Sequence, residues 1–422
     1  MQVHTPGRRQ RGAMIITAAL VLFFLLGFMG IALDFGHLFV VRTELQTAVD
    51  SCALAAAREL DKQATAIARA QSAGQSAGNA NGVNMQSATW SGQGQIVATD
   101  ISFRDAAYAP TTDPLVATYA QCVHTQPNIQ IWLMKAMGAF SGDAAAYPAT
   151  GNVGASAVAT RASAQSTCPI PVGVKPKPGT GAPNYGFVVG EWVKLIQAQA
   201  GAAGGEIGWA NLDGSNSASE TEAEMNNHCG TKVGDTLGTP GVQTSIVDVW
   251  NQRFGIYKNS GNPSTQRPDY TGYAYTALNW PAKFNAYDGP APGSPASAQN
   301  YLAKRAAFAS CADTGTKVNG ANSCEAITGL SLNGFQKLAA PGNVAGGHMQ
   351  YGLDRRIVTA PVIDGAGRVV DYACMLMLQP LSIPMTDTWL EFRGNAGAVN
   401  SPCTTSGLAG GAAGPLVPVL VR

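Results

Sequence analysis

The most chemically pointed feature of this chain is a run of oxygen ligands at alternate positions. Asp213-Gly-Ser-Asn-Ser217 sets one carboxylate and two hydroxyls, those of Asp213, Ser215 and Ser217, in a D-x-S-x-S spacing. Hard oxygens so placed suit a divalent cation such as Mg²⁺. The same residue types are also the common constituents of turns. The residues before them, Gly208-Trp-Ala-Asn-Leu212, do not read as the apolar strand that would present such a site. A turn is therefore the first reading and an ion site the alternative. The five histidines, His4, His37, His124, His228 and His348, make no H-E-x-x-H, and His228 beside Cys229 is the sole adjacent pair of His and Cys. The absence of C-x-x-C and of G-x-x-x-x-G-K-[ST] argues against a zinc ribbon, a thioredoxin-type site and a phosphate-binding loop. No catalytic residue, cofactor or firm metal ligand is expected, and an enzyme with dispersed active-site residues ranks last.

Eight cysteines offer different chemistry. All follow a long apolar stretch near the N-terminus, so if that stretch crosses a membrane they can share an oxidising compartment and form disulfides. Sequence alone cannot choose among the possible pairings. Cys311 and Cys324 bracket the polar segment ADTGTKVNGANS and are the preferred pair; closing that loop contributes about 3 kcal/mol by chain entropy. Cys122 with Cys168, and Cys229 with Cys374 or Cys403, are further guesses. Cys52 reads as a small apolar residue on a helix face, with a bridge to the soluble part as the alternative.

Composition frames these candidates. The 422 residues carry a net charge of +1, and charged side chains make up 13%, about half the usual share. With 49 Gly and 24 Pro, the surface must be solvated by neutral polar groups, a composition more often seen outside the cytoplasm. No Lys/Arg run exceeds three residues, which argues against a nucleic-acid partner. The length suits two domains, or three.

The elements that must position these residues begin with AMIITAALVLFFLLGFMGIAL, Ala13 to Leu33, which holds no charge. Roughly twenty helical residues at ~1.5 Å each span the ~30 Å hydrocarbon layer. Arg8, Arg9 and Arg11 precede the stretch, and only Arg42 follows closely. The basic flank predicts a cytoplasmic N-terminus, with everything after Asp34 outside. A cleaved signal would have a shorter apolar region and a small-x-small end, so an uncleaved anchor is expected. Beyond it no Pro or Gly after Gly36 interrupts the run to about Arg69. Leu38, Val41, Leu45, Ala48, Cys52 and Ala55 recur at spacings of three and four, an apolar stripe for one packing partner.

Arg11 to Asp61 resembles the N-terminal segment of the TadE/TadG-like proteins of tight-adherence (Flp) pilus assembly. The matching features are a Gly after a basic cluster, the apolar span, Asp34 at its outer end, Leu45-Gln46, Asp50 and the Ala-rich Ala53–Leu60. Weaker similarity continues at Cys168-Pro-Ile-Pro-Val172, Gly208-Trp209, Trp250–Gly255 and Arg355–Asp364, a pattern similar to the extracytoplasmic part of TadG-like proteins. Related pilins are cut after a Gly that has Glu five residues on, where this chain has Thr17 after Gly12. That departure implies an anchored accessory protein and not a polymerised subunit. Some TadG-like proteins carry a von Willebrand A-type domain, in which D-x-S-x-S binds Mg²⁺; this is the resemblance behind the alternative role for Asp213, Ser215 and Ser217.

Residues 71–95 are polar, Gly-rich and aperiodic, which predicts a flexible loop. Ile96–Phe103, Leu115–Val123 and Val153–Gln165 alternate as strands, and Ile129–Phe140 has helical spacing. After the Pro/Gly-rich Pro171–Pro183, Phe187–Gln199 reads as a helix and Ser245–Arg253 as a helix or strand. Arg356–Ile363 and Val369–Leu378, joined by Asp364-Gly-Ala-Gly367, form the best hairpin. Leu416–Val421 is a last strand or a frayed end.

The expected fold is thus α+β. It comprises a cytoplasmic basic tail (1–12), a transmembrane helix (13–33) continuing into a long exposed helix (34–70), a flexible loop (71–95), a small pilin-like mixed α/β unit (96–168) and a Gly/Pro-rich α+β extracytoplasmic domain (169–422). The expected function is that of a non-enzymatic, single-pass protein of the bacterial inner membrane with its bulk in the periplasm. Its partners would be the lipid bilayer and pilus-assembly or secretion-apparatus proteins. A Mg-dependent von Willebrand A-like adhesion module and an anchored periplasmic enzyme are the alternatives.

Overall fold

The computed structural model describes residues 11–135, 149–197, 201–241, 244–270, 272, 274–279, 317–321, 323–340, 347–353 and 355–421. The chain divides into two compact units, Met1–Arg161 with Pro418–Arg422, and Ala162–Val417.

In the first unit a single helix, α1, runs from Arg11 to Arg58. Nearly every side chain from Met14 to Met29 is exposed, whereas from Gly30 onward buried positions recur at Asp34, His37, Val41, Leu45, Ala48 and Cys52. One unbroken helix therefore has an apolar length with no protein around it and a second length that forms the spine of a core. The helix does not reach Arg69 as its lack of Pro and Gly suggested. It ends at Arg58, the chain turns with Lys62 left-handed at φ 61°, and the Asp61 carboxylate accepts the Gln63 amide at 3.1 Å. Asp favours such local bonds over continued helix.

The turn feeds a second helix, α2 (Ala66–Asn79), where the sequence predicted a flexible loop from residue 71 on. Its buried residues are Ala66, Ala70, Gly74 and Gly78, a stripe at every fourth position that lies antiparallel along α1, with Gly74 against Cys52 and Gly78 against Cys52 and Ala48. A Cβ at Gly78 would stand 2.7 Å from Ile96 Cδ1 and 3.2 Å from the Ala48 carbonyl oxygen. Small residues here set a backbone-close helix pair, a signal that a search for large apolar residues passes over.

Behind the helix pair lies an antiparallel sheet made of β1 (Ile101–Arg104), β2 (Pro110–Thr111), β3 (Tyr119–Gln130), β4 (Thr150–Ser163) and the C-terminal strand Leu416–Leu420 at the edge beside β4. β3 extends to Gln130, so the start of the helix expected over 129–140 is strand; 136–148 lie outside the described residues. Ile101 and Phe103, Ala120 and Cys122, and Val153, Ala155, Ala157 and Ala159 alternate onto one face, as a pleated strand requires. They share a core with Val41, Leu45, Ala48 and Cys52 of α1. A Cys52–Cys122 disulfide fixes helix to sheet across a sequence separation of 70, a loop whose closure is worth about 4 kcal/mol.

The second unit is built on a closed barrel of β5 (Val172–Val174), β6 (Trp192–Leu195), β7 (Ile207–Trp209), β10 (Ile357–Ile363), β11 (Val369–Met377) and β12 (Thr388–Asn395); the short pair β8 (Ile256–Tyr257) and β9 (Lys337–Leu338) stands apart from it. Inward positions alternate along each strand, as in Val358, Ala360 and Val362, or Ala373, Met375 and Met377. The β10–β11 hairpin forms as predicted, with Ile357 opposite Leu376. Phe187–Gln199, expected as a helix, instead contains β6, whose Val193 and Leu195 point into the barrel. Ser245–Arg253 holds a helix, Ile246–Gln252. The last strand, β13 (Leu416–Leu420), carries the chain back to the first unit.

Two more disulfides lie within the second unit, Cys168–Cys229 and Cys374–Cys403. They overturn the guesses of Cys122 with Cys168 and of Cys229 with Cys374 or Cys403. Cys122 is taken by Cys52, which does form a bridge instead of serving as a plain apolar residue. Cys324 is disulfide-bonded, and its expected partner Cys311 lies outside the described residues.

Candidate functional site

Where α1 passes from bare to packed, three of its residues, Asp34, His37 and Gly30, contact the rest of the first unit. Asp34 is 2% exposed. Its Oδ1 accepts the Trp132 amide at 3.2 Å, and its Oδ2 accepts the amides of Leu133 at 2.9 Å and Met134 at 2.6 Å. These N–H groups open a helical turn over 133–135 and would otherwise have no intrahelical acceptor. Carboxylate and turn satisfy one another. One turn further along, the His37 ring stacks on Trp132 at 5.1 Å and 8°, and its Nε2 meets Asn84 Oδ1 at 3.1 Å. One turn back, Gly30 lets Leu133 lie flat on the helix, since a Cβ there would be 3.0 Å from Leu133 Cβ.

The same device recurs outward along α1. Glu44 accepts the amides of Met85 and Gln86 at 2.9 and 3.0 Å, and Gln46 Nε2 donates to Asp50 Oδ1 and to the Ser156 carbonyl. Leu45 is fully buried. The polar residues that lie off the apolar stripe are thus clamps for loops and strands.

The residues carrying this geometry coincide with a recognisable sequence block. Residues 12–59 match the family model Tad, Flp pilus-assembly TadE/G-like. The N-terminal segment of this chain is thus similar to TadE/G-like proteins. Comparisons with curated proteins and with solved structures found no match. The TadE/G-like block ends one residue after α1 does, and α1 from Met14 is long and apolar enough to cross a membrane.

The other candidate residues are placed as follows. Asp213 Oδ1 accepts the Ser215 amide at 2.9 Å, a bond that holds its carboxyl below the ordinary value. Ser215 Oγ donates to Glu220 and accepts from Asn211, while Ser217 precedes the helix Ala218–Asn227 and its Oγ faces Ser219. The three oxygens of the D-x-S-x-S run are each engaged with different neighbours, and β7 ends at Trp209, before the run begins. Among the described residues no three His, Cys, Asp or Glu side chains gather as a metal site.

A cavity of about 270 Å³ in the second unit is lined by Glu224, His228, Arg253, Arg355 and Thr359. Both Glu224 oxygens accept backbone amides, from Leu212 at 2.8 Å and Asp213 at 3.0 Å. His228 Nδ1 stands 3.9 Å from Glu224, beyond hydrogen-bond reach. Burial holds the Arg253 guanidinium down at about 9, the charge of Arg355 adds to this and Asp269 opposes it. Sequence reading also passed over a G-x-S-x-G string, Gly74 to Gly78. It lies wholly inside α2, whereas a nucleophile elbow needs a strand-to-helix turn.

Proposed function

We propose that this chain is a single-pass protein of the bacterial inner membrane that serves Flp pilus assembly through protein–protein contacts and not through catalysis. The carrying observation is the coincidence of the TadE/G-like block, residues 12–59, with a helix that is bare and apolar at one end and the spine of a disulfide-bonded unit at the other. An anchor of this build holds its folded part at a fixed height from the bilayer. Transfer of the bare length to water would expose large apolar side chains at about 1.5–3 kcal/mol each. The basic residues before the span and the disulfides beyond it support a cytoplasmic N-terminus and a periplasmic bulk. Sheet, barrel and loops then offer surfaces to other assembly proteins.

The test is removal of the gene in a piliated host, followed by counting surface Flp pili. Loss of pili, restored by the full chain but not by one whose residues 14–33 are replaced with a cleavable signal, is the expected result. Unchanged piliation rejects the assignment. Restoration by the unanchored form rejects the anchor as part of the role.

A further inference from the structure

We infer that the Trp132–Leu133 turn and the exposed face of α1 at Phe35, Phe39 and Val40 are immersed in the outer leaflet of the bilayer. The hydrocarbon edge then lies near Asp34, and the interfacial zone of the membrane reaches one to two turns beyond it. This rests on the reading of α1 as the membrane anchor and sets its depth.

Helix length makes the first case. From Met14 to Asp34 the rise is about 30 Å, the full thickness of a hydrocarbon core. Leu133 packs on Gly30, one turn inside that limit, so a span that fills the core carries Leu133 in with it. The surface agrees. Trp132 is 57% exposed and Leu133 40%, and on α1 Phe35, Phe39 (65%) and Val40 are also bare, continuous with Met29 and Leu33 of the span. Arg42 is the first exposed cation beyond them on α1, at the height where a basic side chain can reach headgroups. Trp at that level suits an interfacial aromatic belt.

Asp34 is the apparent objection, because a carboxylate in lipid is costly. Here it is sheathed. Its oxygens take three backbone N–H groups, and those same amides would otherwise be orphaned in a medium that cannot bond them. Charge and irregular backbone enter the interface as one satisfied unit, with the His37 and Trp132 rings stacked beside it.

The test uses the full chain in phosphatidylcholine–phosphatidylglycerol vesicles, spin-labelled singly at Leu133→Cys, Phe39→Cys, Phe24→Cys or Met85→Cys, with the accessibility of each label to oxygen and to a water-soluble nickel chelate compared. Positions 133 and 39 should show oxygen-to-chelate ratios severalfold above that at 85, with position 24, at the middle of the span, highest of the four. Ratios at 133 and 39 equal to that at 85, with 24 still lipid-exposed, overturn the immersion and leave the anchor intact. Aqueous values at 24 remove the anchor reading itself. Trp132→Phe supplies a label-free check. In vesicles with shallow brominated lipid the parent should lose a fluorescence component that the variant lacks; identical quenching of the two counts against immersion.

Discussion

At the scale of single residues, carboxylates on α1 do structural work that their charge alone did not announce. Asp34 matched a family pattern as the outer mark of the span, but its use became visible only when residues a hundred positions later supplied three amides. Asp34→Ala should cost about 2–3 kcal/mol, the worth of bonds to a charged acceptor with their donors left buried. Thermal unfolding in detergent checks this, and Asp34→Asn, which keeps one carbonyl acceptor, should lose less. Glu224 gives a pH signature of opposite origin. Burial raises its carboxyl above the ordinary 4.5, against the amides of Leu212 and Asp213, which pull it down. The native state therefore holds this proton more tightly than the unfolded chain does. That stabilisation is complete below about 4.5 and disappears as pH rises through the native value. Melting curves of the parent and Glu224→Gln between pH 4 and 7 should show the variant gaining on the parent as pH rises; a constant gap would contradict the shift.

Elements show most plainly what was legible in the sequence and what was not. Long-period signals read correctly: the apolar span of α1, the alternation of β4, and the hairpin of β10 and β11 with Asp364–Gly367 between them. Failures fell where small residues carry the packing. Ala66, Ala70, Gly74 and Gly78 have no large side chain to register as an amphipathic face, so α2 looked like a loop. β6 is short and lies between Gly190 and Gln197, and its two buried residues, Val193 and Leu195, are too few to set a strand period. Disulfide partners follow from tertiary approach and could not be read at all. The helix pair makes a prediction whose sign separates packing from propensity. On a free helix face Gly→Ala gains up to about 1 kcal/mol. Gly78→Ala should instead lose about 1–2 kcal/mol, because the added methyl meets the Ala48 carbonyl and Cys52 Cβ of α1. Ser76→Ala on the exposed face is the control and should be neutral or slightly stabilising in the same denaturant titration.

For the whole molecule, the order of chain and contact is more informative than either unit alone. The first unit's core draws on residues from Val41 to Ala159, and the second unit's two clusters draw on residues from Ile170 to Cys403. Each disulfide with both partners described closes within one unit. The chain leaves the first unit at the end of β4 and returns in β13, and these strands are antiparallel neighbours: Val421 donates to Val158 at 2.8 Å and Ala164 donates to Pro415 at 3.1 Å. The end of β4 thus lies beside the start of β13, and in chain order the second unit is inserted between these two strands. Insertions are tolerated where the two ends lie close together at a strand connection. Replacing residues 165–414 with Asn-Gly, the turn suited to a two-residue hairpin, should leave a small protein that still fractionates with membranes after carbonate extraction and forms the Cys52–Cys122 bridge. Residues 164–415, exported alone, should be soluble and carry the Cys168–Cys229 and Cys374–Cys403 bridges by non-reducing peptide mapping. If the excised form instead appears reduced and protease-sensitive while the exported piece is folded, the barrel unit is needed to hold β13 in place and the sheet does not close without it.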